Sequence, residues 1–115
     1  MARDSENTSV LHNVIAQGTE INGNIKTNSD IRIDGTLEGN LVCQGKVVIG
    51  PQGSVKGDIE CNSADFHGIV EGHINTYDTL SIKATAKVTG ELRTKVLSIE
   101  PNALFNGTCE MTGRE

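Results

Sequence analysis

Apolar and polar residues alternate in short segments along most of the chain, and two of these segments recur in a fixed order. The first reads apolar-x-Gly-x-apolar and occurs six times, with glycines 15–18 residues apart. These glycines are Gly23, Gly39, Gly57, Gly72, Gly90 and Gly107. The second reads apolar-x-apolar and lies between them at intervals of 16 or 17 residues, from Ile31-Arg32-Ile33 to Leu97-Ser98-Ile99. A regular period of about 17 residues is typical of a solenoid.

Two further positions keep the same period. Two residues beyond each Gly-x-apolar unit stands a Thr, Cys or Met: Thr27, Cys43, Cys61, Thr76, Thr94 and Met111. Two residues before each apolar-x-Gly unit stands a small residue: Thr19, Gly35, Gly53, Gly68, Ala86 and Ala103. Alternate side chains of a strand point to the same face, so the sequence predicts that these columns, like the apolar ones, face inward.

These columns predict an all-β fold, a single-stranded parallel β-helix of about six coils. Each coil holds three short strands, and the repeated glycine lies at a corner that requires positive φ. Like strands of neighbouring coils would pair at about 4.8 Å, which buries an inner face that no single coil could bury alone. Corner lengths vary between four and six residues, and Pro51 and Pro101 lie in the longer corners. This variation, together with the general crossover rule, favours the right-handed form over a left-handed hexapeptide helix.

Composition fits one such domain in 115 residues. Aromatic residues are 3% of the chain, as expected for a narrow bore with little room for rings. A net charge of −5 without a basic cluster argues against nucleic-acid binding. No apolar run could cross a bilayer or form a signal-peptide core, which predicts a cytoplasmic protein. Cys43, Cys61 and Cys109 match no metal or redox spacing and are interpreted as small buried groups.

The two ends of the repeat array differ from its middle. Residues 1–13 are interpreted as a polar, disordered N-terminal tail, residues 14–111 as the β-helix, and residues 112–115 as a short C-terminal tail, with Val14-Ile15 beginning an incomplete first coil. The last coil has no cap, although exposed coil ends normally need one. It carries Phe105 where the other copies have an aliphatic residue, so Phe105 either folds over the end as a lid or forms an association surface.

The association hypothesis assigns an interface to each end, and stacking through both ends gives a filament. The predicted C-terminal interface consists of Leu104, Phe105, Cys109 and Met111. The predicted N-terminal interface consists of Val14, Ile15 and Ile21. The alternative function is a hexapeptide-repeat-like acyltransferase acting as a trimer, which would need a histidine as general base. His67 and His73 lie at corners of adjacent coils without an acceptor-binding insertion, so no catalytic, cofactor or metal-binding residue is predicted, and no enzyme activity.

The multi-copy pattern, and Ile31-Arg32-Ile33-Asp34-Gly35-Thr36-Leu37-Glu38-Gly39-Asn40-Leu41 in particular, resembles the bactofilin family over roughly residues 14–111. The resemblance implies a bacterial cytoskeletal protein with a right-handed β-helix that polymerises without nucleotide or other cofactor. Subunits would join N-end to N-end and C-end to C-end into filaments without polarity. Such filaments are scaffolds for cell-shape or cell-envelope morphogenesis, and their partners include cell-wall-modifying enzymes and other morphogenetic proteins.

The resemblance also bears on location. Many family members bind the inner face of the cytoplasmic membrane through an N-terminal segment that begins with an aromatic or strongly apolar residue. This chain has Ala2-Arg3-Asp4 there instead. The expected location is therefore the cytoplasm, with membrane attachment left as an open alternative.

Overall fold

The computed structural model describes residues 12–111, and these residues form twelve β-strands without a helix. The strands are β1 (His12–Ile15), β2 (Glu20–Asn22), β3 (Ile25–Thr27), β4 (Asp30–Ile33), β5 (Thr36–Glu38), β6 (Leu41–Ile49), β7 (Ser54–Phe66), β8 (Ile69–Thr76), β9 (Thr79–Ile82), β10 (Lys87–Thr94), β11 (Val96–Ile99) and β12 (Leu104–Met111). Every pairing between them is parallel. Parallel pairing of each strand with its counterpart one repeat later is the pattern of a solenoid.

The register of these pairings follows the sequence repeat. Gly57 is paired with Gly72, Gly72 with Gly90, and Gly90 with Gly107. The apolar-x-apolar segments are likewise paired in order, for example Ile33 with Ile49. The predicted all-β parallel β-helix of about six coils is therefore confirmed.

The strands are longer than the predicted three short strands per coil. β8, β10 and β12 each run for eight residues through the repeated glycine, and β7 runs for 13 residues through Gly57 and the next corner. The six glycines have φ between 130° and 150°, a nearly extended conformation outside the range that other residues favour. Such a glycine bends the strand and keeps its pairing with the neighbouring coils.

The inward columns form one continuous core. The burial of β10 alternates along the strand, with Val88, Leu92 and Thr94 buried and the residues between them exposed or half-buried. The Thr/Cys column is inside as predicted, since Thr76 and Thr94 are fully buried. This alternation is the one expected of strands with one face against a core and one face in water.

One aromatic residue lies inside the bore, although the bore has little room for rings. Phe66 is fully buried, in a column that Ile49 and Ile82 occupy in the neighbouring coils. Ala64, two residues earlier, is also buried and takes the place of a larger Val or Leu. A small residue beside a large one keeps the volume of this coil close to that of its neighbours, as native packing density requires.

The longer corners contain one added β-turn each. The amide of Gly53 donates to the carbonyl of Gly50 at 2.8 Å, and the amide of Ala103 donates to the carbonyl of Glu100 at 3.2 Å. Pro51 and Pro101 lie at the second position of these turns, which a proline favours. Insertions at corners therefore change the length of a coil and leave its inward columns in register.

The first coil is complete, which corrects the prediction of an incomplete one. β1 begins at His12, and Asn13 is paired with Ile31 in an inward column. The strand thus starts two residues before the predicted boundary at residue 14. The rest of the predicted N-terminal tail and the predicted C-terminal tail at residues 112–115 lie outside the described residues.

Candidate functional site at the ends of the solenoid

The last coil leaves its inward side chains uncovered. Among residues 12–111, β11 pairs only with β9 and β12 only with β10, so no strand follows them. In the coil before, Leu80, Ile82 and Val88 are fully buried, whereas Ile99 in the column of Ile82 is 45% exposed. We call the six inward residues of the last coil the C-terminal end face: Leu97, Ile99, Ala103, Phe105, Cys109 and Met111.

The structure brings three of the four predicted C-terminal residues onto this face. Phe105 and Cys109 are half-buried against the core, and Met111 is 54% exposed. Leu104 is paired with Lys87 in an outward column and is 58% exposed, so it lies at the rim of the face. Sequence reasoning missed Leu97, Ile99 and Ala103, although their columns already marked them as inward.

The first coil presents the opposite surface. Its inward positions, which we call the N-terminal end face, are Asn13, Ile15, Thr19, Ile21, Ile25 and Thr27. Two of the three predicted residues occupy its inward positions: Ile21 is half-buried there, and Ile15 is buried at 7% exposure. Val14 is paired with Arg32 in an outward column and is 55% exposed, so it lies beside the face and not on it.

The two end faces differ in polarity. All six positions of the C-terminal end face are apolar, and three of the six positions of the N-terminal end face are polar. The Nδ2 group of Asn13 donates to Oγ1 of Thr27 at 2.9 Å and to the carbonyl of Asp30 at 3.4 Å. Polar side chains of the N-terminal end face therefore hydrogen-bond to one another in part, while every inward side chain of the C-terminal end face is apolar.

The six predicted glycines stack as a ladder that reaches both faces. A Cβ atom added to Gly107 would overlap the carbonyl oxygen of Gly90, and one added to Gly39 would overlap that of Gly23. A Cβ added to Gly23 would meet no atom of residues 12–111 within 4 Å. Glycine is therefore what allows coils to approach at this corner, and no coil among residues 12–111 covers Gly23.

The rim of the C-terminal end face is acidic but locally neutralised. Glu100 lies 3.6 Å from Nζ of Lys83, and Glu110 lies 3.5 Å from Nε of Arg93. Each pair joins the last coil to the one before it. These exposed pairs add little stability, but they place a positive charge beside each rim glutamate.

The three cysteines are free thiols. Cys43 and Cys61 are neighbours in the Thr/Cys column, and burial raises the pKa of Cys61 to about 12. Burial also raises the pKa of Cys43 and of Cys109 above the usual value of a thiol. A thiol with a raised pKa is a poor nucleophile and metal ligand at neutral pH, so these residues act as apolar groups.

His73 is the histidine with the most defined surroundings among the described residues. Its Nδ1 lies 3.2 Å from Oδ1 of Asp58, and its Nε2 lies 3.5 Å from Oε1 of Glu91. The three side chains stack in one exposed outward column. Within residues 12–111, no three His, Cys, Asp or Glu side chains are grouped as metal ligands would be, and no helix could span a membrane.

Comparisons with known proteins agree with this architecture. A family model described as "Bactofilin: Polymer-forming cytoskeletal" matches residues 13–110. The chain is 28% identical over 108 residues to bactofilin BacO of Myxococcus xanthus, covering 94% of this chain and 86% of BacO. It is 25% identical over 107 residues to bactofilin BacP of the same organism, covering 93% of this chain but 45% of BacP.

Two solved structures from Thermus thermophilus have the same fold. The cryo-EM reconstruction of its bactofilin double helical filaments matches with a TM-score of 0.83 and 28% identity, over 87% of this chain and 99% of that one. The crystal structure of its F105R mutant, numbered in its own sequence, matches with a TM-score of 0.74 and 28% identity, over 79% and 100%. The comparisons do not support the acyltransferase alternative. The match over residues 13–110 shows that the chain belongs to the bactofilin family of polymer-forming cytoskeletal proteins.

Proposed function

We propose that this chain is a structural subunit, not an enzyme, that polymerises end to end through its two end faces. The observation that carries the proposal is the C-terminal end face, where six columns that are buried in the middle coils end in uncovered apolar side chains. The hydrophobic effect favours the burial of such a surface against another subunit. The outer edges of β11 and β12 also offer backbone groups for further strand pairing.

The difference between the two faces favours filaments without polarity. If a C-terminal face met an N-terminal face, Asn13, Thr19 and Thr27 would be buried against apolar atoms, which is costly for polar groups that lose water. Contacts between like faces reduce this cost, because apolar atoms meet apolar atoms at the C-terminal junction and the hydroxyls of Thr19 and Thr27 can meet each other at the N-terminal junction. Neither hydrophobic burial nor strand pairing draws on a nucleotide, so we expect assembly from the protein alone.

We further propose that the filament is a cytoplasmic scaffold for cell-shape or cell-envelope morphogenesis. The outward columns carry charged side chains along the whole length of the solenoid, for example Lys56, Glu71 and Glu91. End-to-end contacts leave these columns free in the polymer. They are the surface that partners such as cell-wall-modifying enzymes could use.

The test is polymerisation of the purified protein, without nucleotide or metal, beside the Phe105→Arg variant. An arginine there would be buried without a partner in the junction, which costs several kcal/mol, so the variant should form no filaments in negative-stain electron microscopy. The matched control is Asn106→Arg, which adds the same side chain one residue away in an exposed outward column. The control should polymerise like the wild type.

Folding of Phe105→Arg must be checked by circular dichroism and thermal denaturation. Filaments formed by this variant as readily as by the wild type would refute an end-to-end junction at Phe105. Loss of the folded state would favour the lid interpretation, in which Phe105 covers the core of its own subunit. A wild type that forms discrete trimers and no filaments would refute polymerisation itself.

A further inference from the structure

The first coil is arranged symmetrically around Gly23. Ile21 and Ile25 lie two residues on either side of this glycine and both point inward. Glu20 and Lys26 lie three residues on either side, and both are exposed in outward columns. At equal distances from Gly23, the side chains of β2 and β3 therefore point to the same side of the coil wall.

This symmetry allows a particular contact between two N-terminal end faces. A rotation of 180° about an axis through Gly23 places β2 of one subunit antiparallel to β3 of the other. Residues that lie directly opposite each other in an antiparallel pair point to the same side of the sheet. Ile21 is then opposite Ile25 of the second subunit, and Thr19 is opposite Thr27, so apolar meets apolar and hydroxyl meets hydroxyl.

The same axis passes through the opposite side of the coil at Val14. β1 of one subunit then runs antiparallel to β1 of the other, with Asn13 opposite Ile15. The three sides of the coil are therefore all paired by one rotation, and each edge strand that lacks a neighbour within residues 12–111 gains one.

We propose that, where two N-terminal end faces meet about this axis, Glu20 of each subunit forms an ion pair with Lys26 of the other. The proposal rests on the end-to-end assembly proposed above and adds the residues that determine which faces may meet. Directly opposite side chains of antiparallel strands have Cβ atoms roughly 5 Å apart, within reach of a carboxylate and an ammonium group. Each junction contains this pair twice because of its symmetry.

The C-terminal end face carries the same relation around Gly107. An axis through this glycine sets Phe105 opposite Cys109 and Ala103 opposite Met111, so that a large side chain meets a small one in both cases. This complementarity in size is what a well-packed junction needs. The same geometry therefore suits both ends, although only the N-terminal end carries opposite charges at the paired outward positions.

A head-to-tail contact would place these charges differently. In such a contact each column of one subunit continues into the same column of the next. Lys26 would then be paired with Glu110 of the neighbouring subunit, and Glu20 with its Leu104. Lys26 would then have an acidic neighbour, but Glu20 would have an apolar one. A chain with Lys at position 20 and Glu at position 26 would therefore keep both ion pairs of the two-fold contact. In the head-to-tail contact the same chain would place a glutamate next to Glu110, which is unfavourable.

The test is a charge exchange measured by sedimentation of the full chain over a range of concentrations at low salt. Glu20→Lys sets the new lysine against Lys26 at both copies of the pair, and Lys26→Glu sets two carboxylates together. Like charges in a contact are unfavourable, so each single variant should raise the polymerisation threshold by about tenfold, equivalent to about 1.4 kcal/mol. The double variant should return to within about twofold of the wild type.

Two controls make the result specific. Lys56→Glu changes the same charge on an outward column in the middle of the solenoid and should leave the threshold unchanged. Added salt should reduce the defect of the single variants, because salt screens exposed charges. Wild-type thresholds for both single variants, or a double variant that stays as defective as Lys26→Glu, would overturn the two-fold pairing. Failure of the wild type to polymerise at all would instead overturn the proposed function.

Discussion

At the scale of single residues, the Thr/Cys column shows how one position stabilises a corner. Oγ1 of Thr94 lies 3.2 and 3.1 Å from the carbonyl oxygens of Asp78 and Val96, which share its single hydrogen. Cys43 uses its thiol in a similar way, toward the carbonyl of Ser29 at 3.1 Å. The hydroxyl of Thr76 lies in the same column and has no hydrogen-bond partner among the described residues. Thr76 and Thr94 therefore occupy the same column but differ in the hydrogen bonds that their hydroxyls contribute.

This difference predicts opposite effects of the same substitution. Thr94→Val should lower the free energy of unfolding by about 1–2 kcal/mol, because it removes a buried hydroxyl donor that the carbonyls of Asp78 and Val96 share. Thr76→Val removes a buried hydroxyl that satisfies no partner and should be neutral or stabilising by up to about 1 kcal/mol. Urea denaturation below the assembly threshold measures both. A loss of similar size in the two variants would contradict this interpretation of the column.

At the scale of elements, the glycine corner determines how closely successive coils can stack. In the middle of the solenoid, the Cα of each glycine lies against the carbonyl group of the preceding one, as at Gly72 and Gly57. The positive φ of these residues adds a second restriction, since other residues rarely adopt it. At Gly23 only the second restriction applies, because no atom of the described residues occupies the space of a Cβ.

Gly72→Ala and Gly23→Ala therefore separate backbone strain from overlap between coils. Gly72→Ala should destabilise the subunit by about 3 kcal/mol or more, because it combines both effects. Gly23→Ala should cost about 1–2 kcal/mol through strain alone. Thermal and urea denaturation of unassembled protein give both values. Equal destabilisation by Gly72→Ala and Gly23→Ala would show that overlap between stacked coils is not the reason that glycine is needed at this corner.

The elements also show where sequence reasoning succeeds and where it does not. The inward columns could be predicted because every coil repeats them, and the structure confirms the glycine, apolar and Thr/Cys columns. Sequence alone predicts Val14 and Leu104 as interface residues because they are apolar neighbours of inward residues. The alternation of side chains along a strand places both residues on the outer side. Hydrophobicity alone does not distinguish inward from outward positions. The pattern also places Phe66 in an inward column, and its burial confirms this. How a ring fits there cannot be predicted from one column, because the small Ala64 beside it provides the volume.

At the scale of the molecule, the solenoid has a closed lateral surface and two different ends. Its sides are covered by outward columns that are mostly polar, with exposed aliphatic residues such as Ile69 and Val96 among them, while its inward columns continue to both ends. The C-terminal end face is entirely apolar, and the N-terminal end face is partly polar with Glu20 and Lys26 at its margin. A subunit of this kind has directional surfaces for assembly at its ends, which agrees with its membership of a polymer-forming family.

The three thiols report directly on whether the C-terminal end face is buried by assembly. Cys109 lies on that face and is partly accessible, whereas Cys43 and Cys61 are inside the core. The raised pKa of Cys61, about 12, keeps its thiol protonated and unreactive in the folded subunit. The same chain therefore carries one probe of the junction and two internal controls for unfolding.

The measurement that tests the central claim most directly is the alkylation rate of Cys109 in filaments and in dispersed subunits, followed by mass spectrometry at a mildly alkaline pH. If subunits join through the C-terminal end face, Cys109 should react in dispersed subunits and be protected by about tenfold or more in filaments, while Cys43 and Cys61 stay unreactive in both. Equal rates at Cys109 in filaments and in dispersed subunits would contradict the account, because the filament would then leave this face open.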